Sequence, residues 1–159
     1  MPINSRPLKK DDPVVDLRTG LITEIWLRDL TAERESATLA AKVIAVASKT
    51  AQAASIGATT FDVQSLAAGV YRFTYYAAIT RAATTSSSLE ITISFTELGL
   101  TKSKTFAAIT GNTTTTWQDG QATIHIADDT PVSWSTTYAS VGATTMQYAI
   151  YVQLERVSA

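Results

Sequence analysis

Two patterns of hydrophobic positions divide the chain near Gly57. Beyond it, apolar and polar residues alternate with the period of two expected of a half-buried strand. In "VYRFTYYAAIT", Tyr71, Phe73, Tyr75, Ala77 and Ile79 share one face, and Arg72, Thr74, Tyr76, Ala78 and Thr80 the other. "LEITISF" sets Leu89, Ile91, Ile93 and Phe95 against Glu90, Thr92 and Ser94. The last run, "MQYAIYVQLE", turns Met146, Tyr148, Ile150, Val152 and Leu154 inward and Gln147, Gln153 and Glu155 outward. Weaker strands fit residues 60–66, 102–109, 121–127 and 132–138. With turn signals at "AAG", "TTSSS", "ELG", "TGN", "QDG", "DDTP" and "SVG", about seven strands form an antiparallel, jelly-roll-like sandwich over residues 57–159.

Before Gly57 the pattern is helical. From Leu21 to Ala54 there are 34 residues without Gly or Pro, rich in Leu, Ile, Ala, Glu, Lys and Arg. Thr19 or Thr23 serves as its cap, and Gly57 lies just past its end. A long helix over residues 19–56 is therefore expected, so the fold class reads as mainly β with an N-terminal α-helix. Ile25, Ala32, Leu39 and Val46 recur every seven residues and Val43 widens the stripe, which makes these five the candidate oligomer interface. The companion row, Arg28, Glu35, Lys42 and Lys49, is charged and leaves the seam half written. The helix could equally lie on its own β domain, since an isolated helix gains little from propensity alone. Residues 1–18, with Pro2, Pro7 and Pro13, read as an extended docking arm.

Composition narrows the function. Thirteen basic and fourteen acidic side chains give a formal charge of -1, and "LKKDD" neutralises itself. Phosphate binding needs clustered Lys and Arg, so no nucleic-acid partner is expected. Without cysteine there are no disulfides, thiolate nucleophiles or Cys-held metal. No stretch approaches the roughly 20 apolar residues of a membrane helix, and "MPINSRPLKKDD" lacks the apolar middle of a secretory signal.

The chemistry-bearing residues are few. His125, the only histidine, sits between Ile124 and Ile126. A strand there sends both isoleucines to the core and His125 to a solvent- or subunit-facing surface. A triad with Asp128 or Asp129 and a serine lacks any nucleophile-elbow pattern. A calcium site from Asp119, Asp128 and Asp129 matches no loop spacing, and one histidine does not make a zinc site. Phosphate loops, dinucleotide fingerprints and long-period repeats are absent. No catalytic residue, cofactor or metal is therefore assigned. Trp134 shares a face with Val132 and reads as core, whereas Trp117, on an expected loop, and Tyr138 are the candidates for contact with a surface ligand such as a glycan.

"VVDLRTGLITEIWLRDLTA" (residues 14–32) resembles the opening of many tailed-phage fibre and virion structural proteins, where "D..TG..T..W...L" precedes a helix. "GVYRFTYYAAITRAATTSSSLEITISFTELGLTKSKTFAAITGNTTTT" and "PVSWSTTYASVGATTMQYAIYVQLE" resemble a domain of phage and prophage structural proteins. The resemblance implies a virion component, assembled in the host cytoplasm: a homotrimeric tail or head fibre that docks on other virion proteins through its N-terminal arm and projects a β-sandwich. Such a protein is not an enzyme. A carbohydrate-binding sandwich for host-surface attachment is the alternative, and a hydrolase using His125 a third.

Overall fold

The computed structural model describes residues 42–63, 66–127 and 129–158, all within the compact unit Ala41–Ala159. Eight strands follow one another: β1 (Lys42–Gln52), β2 (Thr59–Thr60), β3 (Gly69–Arg81), β4 (Ser86–Glu97), β5 (Leu100–Thr105), β6 (Trp117–Ile126), β7 (Ser133–Val141) and β8 (Gln147–Ser158). They form two four-stranded sheets, β1-β8-β3-β6 and β2-β7-β4-β5, in which every pairing is antiparallel. Apart from the β4–β5 hairpin, each connection crosses from one sheet to the other, which is a jelly-roll-like arrangement.

Among the described residues the long helix is not found. Lys42–Gln52, the C-terminal third of the segment expected to be helical, is strand β1, paired along its length with β8. Among the described residues the architecture is all β. The physical reason lies in what each conformation could bury. Freedom from Gly and Pro permits a helix without requiring one, while Val43, Ile44, Val46 and Thr50 are β-branched and suit a pleated surface. Pairing with β8 satisfies the backbone of β1 and tucks Ile44, Ala45 and Ala47 against the core, and this tertiary gain overrides a weak propensity. Residues 1–41, with the expected arm, Ile25, Ala32, Leu39, Arg28 and Glu35, lie outside the described residues.

The alternation expected of β3, β4 and β8 is obeyed. Tyr71, Phe73, Tyr75, Ala77 and Ile79 of β3 and Tyr148, Ile150, Val152 and Leu154 of β8 meet Leu89, Ile91 and Ile93 of β4 and Trp134 of β7 between the sheets. Glu97 pairs with Leu100 across a two-residue hairpin loop, where Leu98 and Gly99 both have positive φ (51° and 76°), the primed turn that matches strand twist. Of the weaker segments, Thr60–Leu66 has only Thr60 in a strand among the described residues, and Lys102–Ile109 ends early, with Ile109 held to Leu89 by an isolated bridge.

One close approach ties the interior to the outer surface. A Cβ on Gly120 would stand 2.5 Å from the Tyr75 ring, which lies across β6 there and donates its hydroxyl to Gln118 Oε1 at 3.1 Å. Gly120→Val is expected to push that ring off Phe106, with which it packs edge-on at 4.8 Å, and to cost about 1–3 kcal/mol. Urea unfolding measures this; a loss no larger than that of an exposed β6 substitution such as Thr123→Val would show that the ring yields freely.

Candidate functional site

The outer face of the β1-β8-β3-β6 sheet carries the largest concentration of exposed apolar groups on one sheet. Inward residues of these strands are fixed by the core, so the alternate positions project outward in register. Ser48, Tyr151, Tyr76 and Asp119 form one cross-strand row. Val46, Gln153, Thr74 and Gln121 form the next, and Ala149, Ala78 and Trp117 flank the other side. Val46 is 69% exposed, Trp117 59%, Tyr151 49% and Tyr76 43%.

Tyr76 stands between two other rings, stacked with Trp117 at 5.9 Å and 27° and tilted against Tyr151 at 6.3 Å. Between β1 and this aromatic row lies a cleft of about 470 Å3, lined by Val46, Ser48, Thr74, Tyr76, Tyr151 and Gln153. The charges of this face stand outside the cleft. Arg72 and Glu155 pair at 3.6 Å toward one end of the face, and Asp119 flanks the aromatics on the β6 edge. Burial, and secondarily the Asp119 carboxylate, push the Tyr75 hydroxyl above its ordinary value, so it stays a neutral donor beneath this edge.

His125 lies farther along the same face of β6, on the surface side as its flanking isoleucines require. Its Nδ1 is 3.6 Å from Glu97 Oε1, beyond hydrogen-bond length, and the other oxygen of Glu97 is bound by Lys102. The lysine hydrogen bond, ahead of the charges of Lys102 and His125, holds the Glu97 carboxyl below its usual value despite slight desolvation. The acid that approaches His125 is thus Glu97 and not Asp129, which sits in a turn at φ 53° with its N–H on Leu66 O. Asp128 lies outside the described residues. Among the described residues no group of three His, Cys, Asp or Glu side chains could hold a metal ion. Among them, too, no helix is long and apolar enough to cross a membrane.

The two aromatic candidates are not brought together. Trp117 opens β6 in one sheet, and Tyr138 belongs to β7 in the other. Tyr138 is half-buried; it stacks on Tyr148 at 6.1 Å and donates its hydroxyl to Met146 O at 2.8 Å. Val43 and Val46 are exposed, on a strand edge and not along a helix. Sequence reasoning missed Tyr76 and Tyr151, and a signal existed: each is an aromatic in phase with the polar positions of a strand whose other face is filled by core residues.

No protein-family model matches this sequence. No curated protein matches it either. Among solved structures, the chain is similar to one titled "Structure of Eiger TNF from S. frugiperda", with 7% identity and a TM-score of 0.37, covering 72% of this chain and 86% of that one. A likeness that distant lends this chain neither an activity nor a partner.

Proposed function

We propose that this chain is a non-catalytic structural subunit of a tailed-phage virion, a homotrimer that docks to other virion proteins through its N-terminal arm and projects a β-sandwich from the particle. The observation that supports it is the aromatic, largely uncharged sheet face of Tyr76, Tyr151, Trp117 and Val46. A contact surface of this kind suits a protein that works by association: aromatics dominate the centres of protein interfaces, and charges are depleted there. The sequence likeness of residues 14–32, 69–116 and 131–155 to phage structural proteins supplies the setting.

Light scattering on the full chain tests the assembly. A mass of three times 17.0 kDa, held on dilution, is the expected result, and a monomer at all concentrations would overturn it. The second reading is host-glycan binding by the same face, favoured by rings on three neighbouring strands. It requires that Trp117→Ala abolish binding to a glycan panel, and equal binding by variant and wild type removes it.

A further inference from the structure

We infer that the outer face of the β1-β8-β3-β6 sheet is where copies of this chain meet. This rests on the homotrimer reading and assigns it a surface.

Four observations point to a second copy as the occupant. The first is ring orientation. A sugar platform needs ring faces turned to solvent, but Tyr76 is flanked on both sides by Trp117 and Tyr151. Strand side chains stand roughly perpendicular to the sheet, so this stack presents ring edges outward and suits interdigitation with another protein.

The second is the extent of the patch. It continues past the rings to Val46 on the opposite edge strand, and a sugar has no use for an aliphatic group there. Four strands about 4.8 Å apart, with about ten residues each at about 3.3 Å, span a flat area of about 600 Å2. Side-chain relief brings that near the ~800 Å2 per partner of a standard interface.

The third is charge. From Val46 and Ser48 across to Thr74 and Tyr76 the face carries no formal charge; the Arg72–Glu155 pair stands toward one end and Asp119 on the β6 edge. Charged residues are depleted at the centres of protein interfaces in the same way.

The fourth is the contrast with the other sheet. On the outer side of β4 and β7 stand Glu90, Thr92, Ser94, Ser135, Thr137 and Ala139, a hydroxyl-rich surface without an exposed aromatic. Among the described residues the exposed rings stand on one side of the sandwich only; the other sheet exposes Val141, Leu98 and Leu100 at strand ends and a turn.

The experiment uses the full chain, with sedimentation velocity as the readout and circular dichroism as the control for folding. Tyr151→Arg places a charge at the centre of the patch, and Thr137→Arg places the same charge on the opposite sheet. The expected result is a wild-type oligomer, association weakened at least tenfold by Tyr151→Arg, and no change with Thr137→Arg. Val46→Glu, at a more exposed position, serves if Tyr151→Arg loses its fold and is expected to weaken association as strongly. An oligomer that survives Tyr151→Arg and Val46→Glu alike overturns this inference and leaves the trimer reading standing. A monomeric wild type defeats the trimer reading and this inference with it, and a monomer that binds glycan in a Trp117-dependent way assigns the face to sugar instead.

Discussion

Replacing Trp134 with alanine is expected to lower the unfolding free energy by about 3–5 kcal/mol, whereas Trp117→Ala should cost about 1 kcal/mol or less. The residue type is the same and the setting opposite. Trp134 is 1% exposed, paired with Ile93 of β4 on one side and Thr59 of β2 on the other, so truncation opens a cavity under both neighbours. Trp117 is more than half exposed and touches chiefly the Tyr76 ring. One detail separates the size of Trp134 from its polarity: its buried indole N–H has no hydrogen-bond partner among the described residues. A buried donor left unpaired costs stability. Trp134→Phe removes both that donor and some volume, so it should lose far less than Trp134→Ala. Equilibrium denaturation of the three variants decides the matter, and equal losses for Trp134→Ala and Trp117→Ala would contradict the burial described here.

Breaking the hydrogen-bond chain at Tyr148 is expected to cost about 1–3 kcal/mol from either end. Ile56 N–H donates to Thr136 Oγ1 at 2.8 Å, the Thr136 and Tyr148 hydroxyls lie 2.6 Å apart, and Tyr148 donates to Ala54 O at 2.9 Å. A single direction of donation satisfies all three: Ile56 to Thr136, Thr136 to Tyr148, Tyr148 to Ala54. The chain holds the segment leaving β1 against β7, aided by the Ser55 hydroxyl, which accepts from Tyr138 N–H at 3.0 Å. Thr136→Val keeps the volume and strands Ile56 N–H, and Tyr148→Phe strands Ala54 O. A double-mutant cycle should show the two losses to be less than additive, because either substitution already breaks the chain; strict additivity would mean the bonds act independently.

The same hydroxyl makes stability pH-dependent. Burial raises the Tyr148 pKa above its ordinary 10.0, outweighing the Thr136 hydrogen bond that lowers it, with a smaller raising contribution from Tyr138. The neutral form is favoured in the fold, so the stabilisation is fully present below the unfolded tyrosine value. As pH rises past about 10 the unfolded chain ionises first, and stability falls until the folded group titrates too. Tyr148→Phe should therefore be less stable at neutral pH but lose stability less steeply in the alkaline range. Tyr75, also raised, keeps part of that slope.

These residues also mark how far the sequence could be read. Strands β3, β4 and β8 were legible because a buried face and a polar face alternate without interruption, and a one-residue slip would turn every core residue to solvent. His125 was placed on a surface by the same logic, and that surface is where it stands. Strand β1 was not legible. Its edge position leaves one side of its backbone without a partner strand among the described residues and many of its side chains exposed, so the pattern of burial that betrays a strand is weak. What remained was composition, and composition without Gly or Pro suits a helix as well as a strand.

By itself the sequence determined an antiparallel β-sandwich with Trp134 inside, because alternation of period two is a local property that each strand carries alone. Only the tertiary structure decided that residues 42–52 form a strand, that the residues following it are tied to Thr136 and Tyr148, and that Val46, Tyr151, Tyr76 and Trp117 share one surface. Those four come from four strands that are neighbours in the sheet and far apart in the chain. Which strands pair, and in what register, depends on the fit of the whole core, and no window of sequence contains that information.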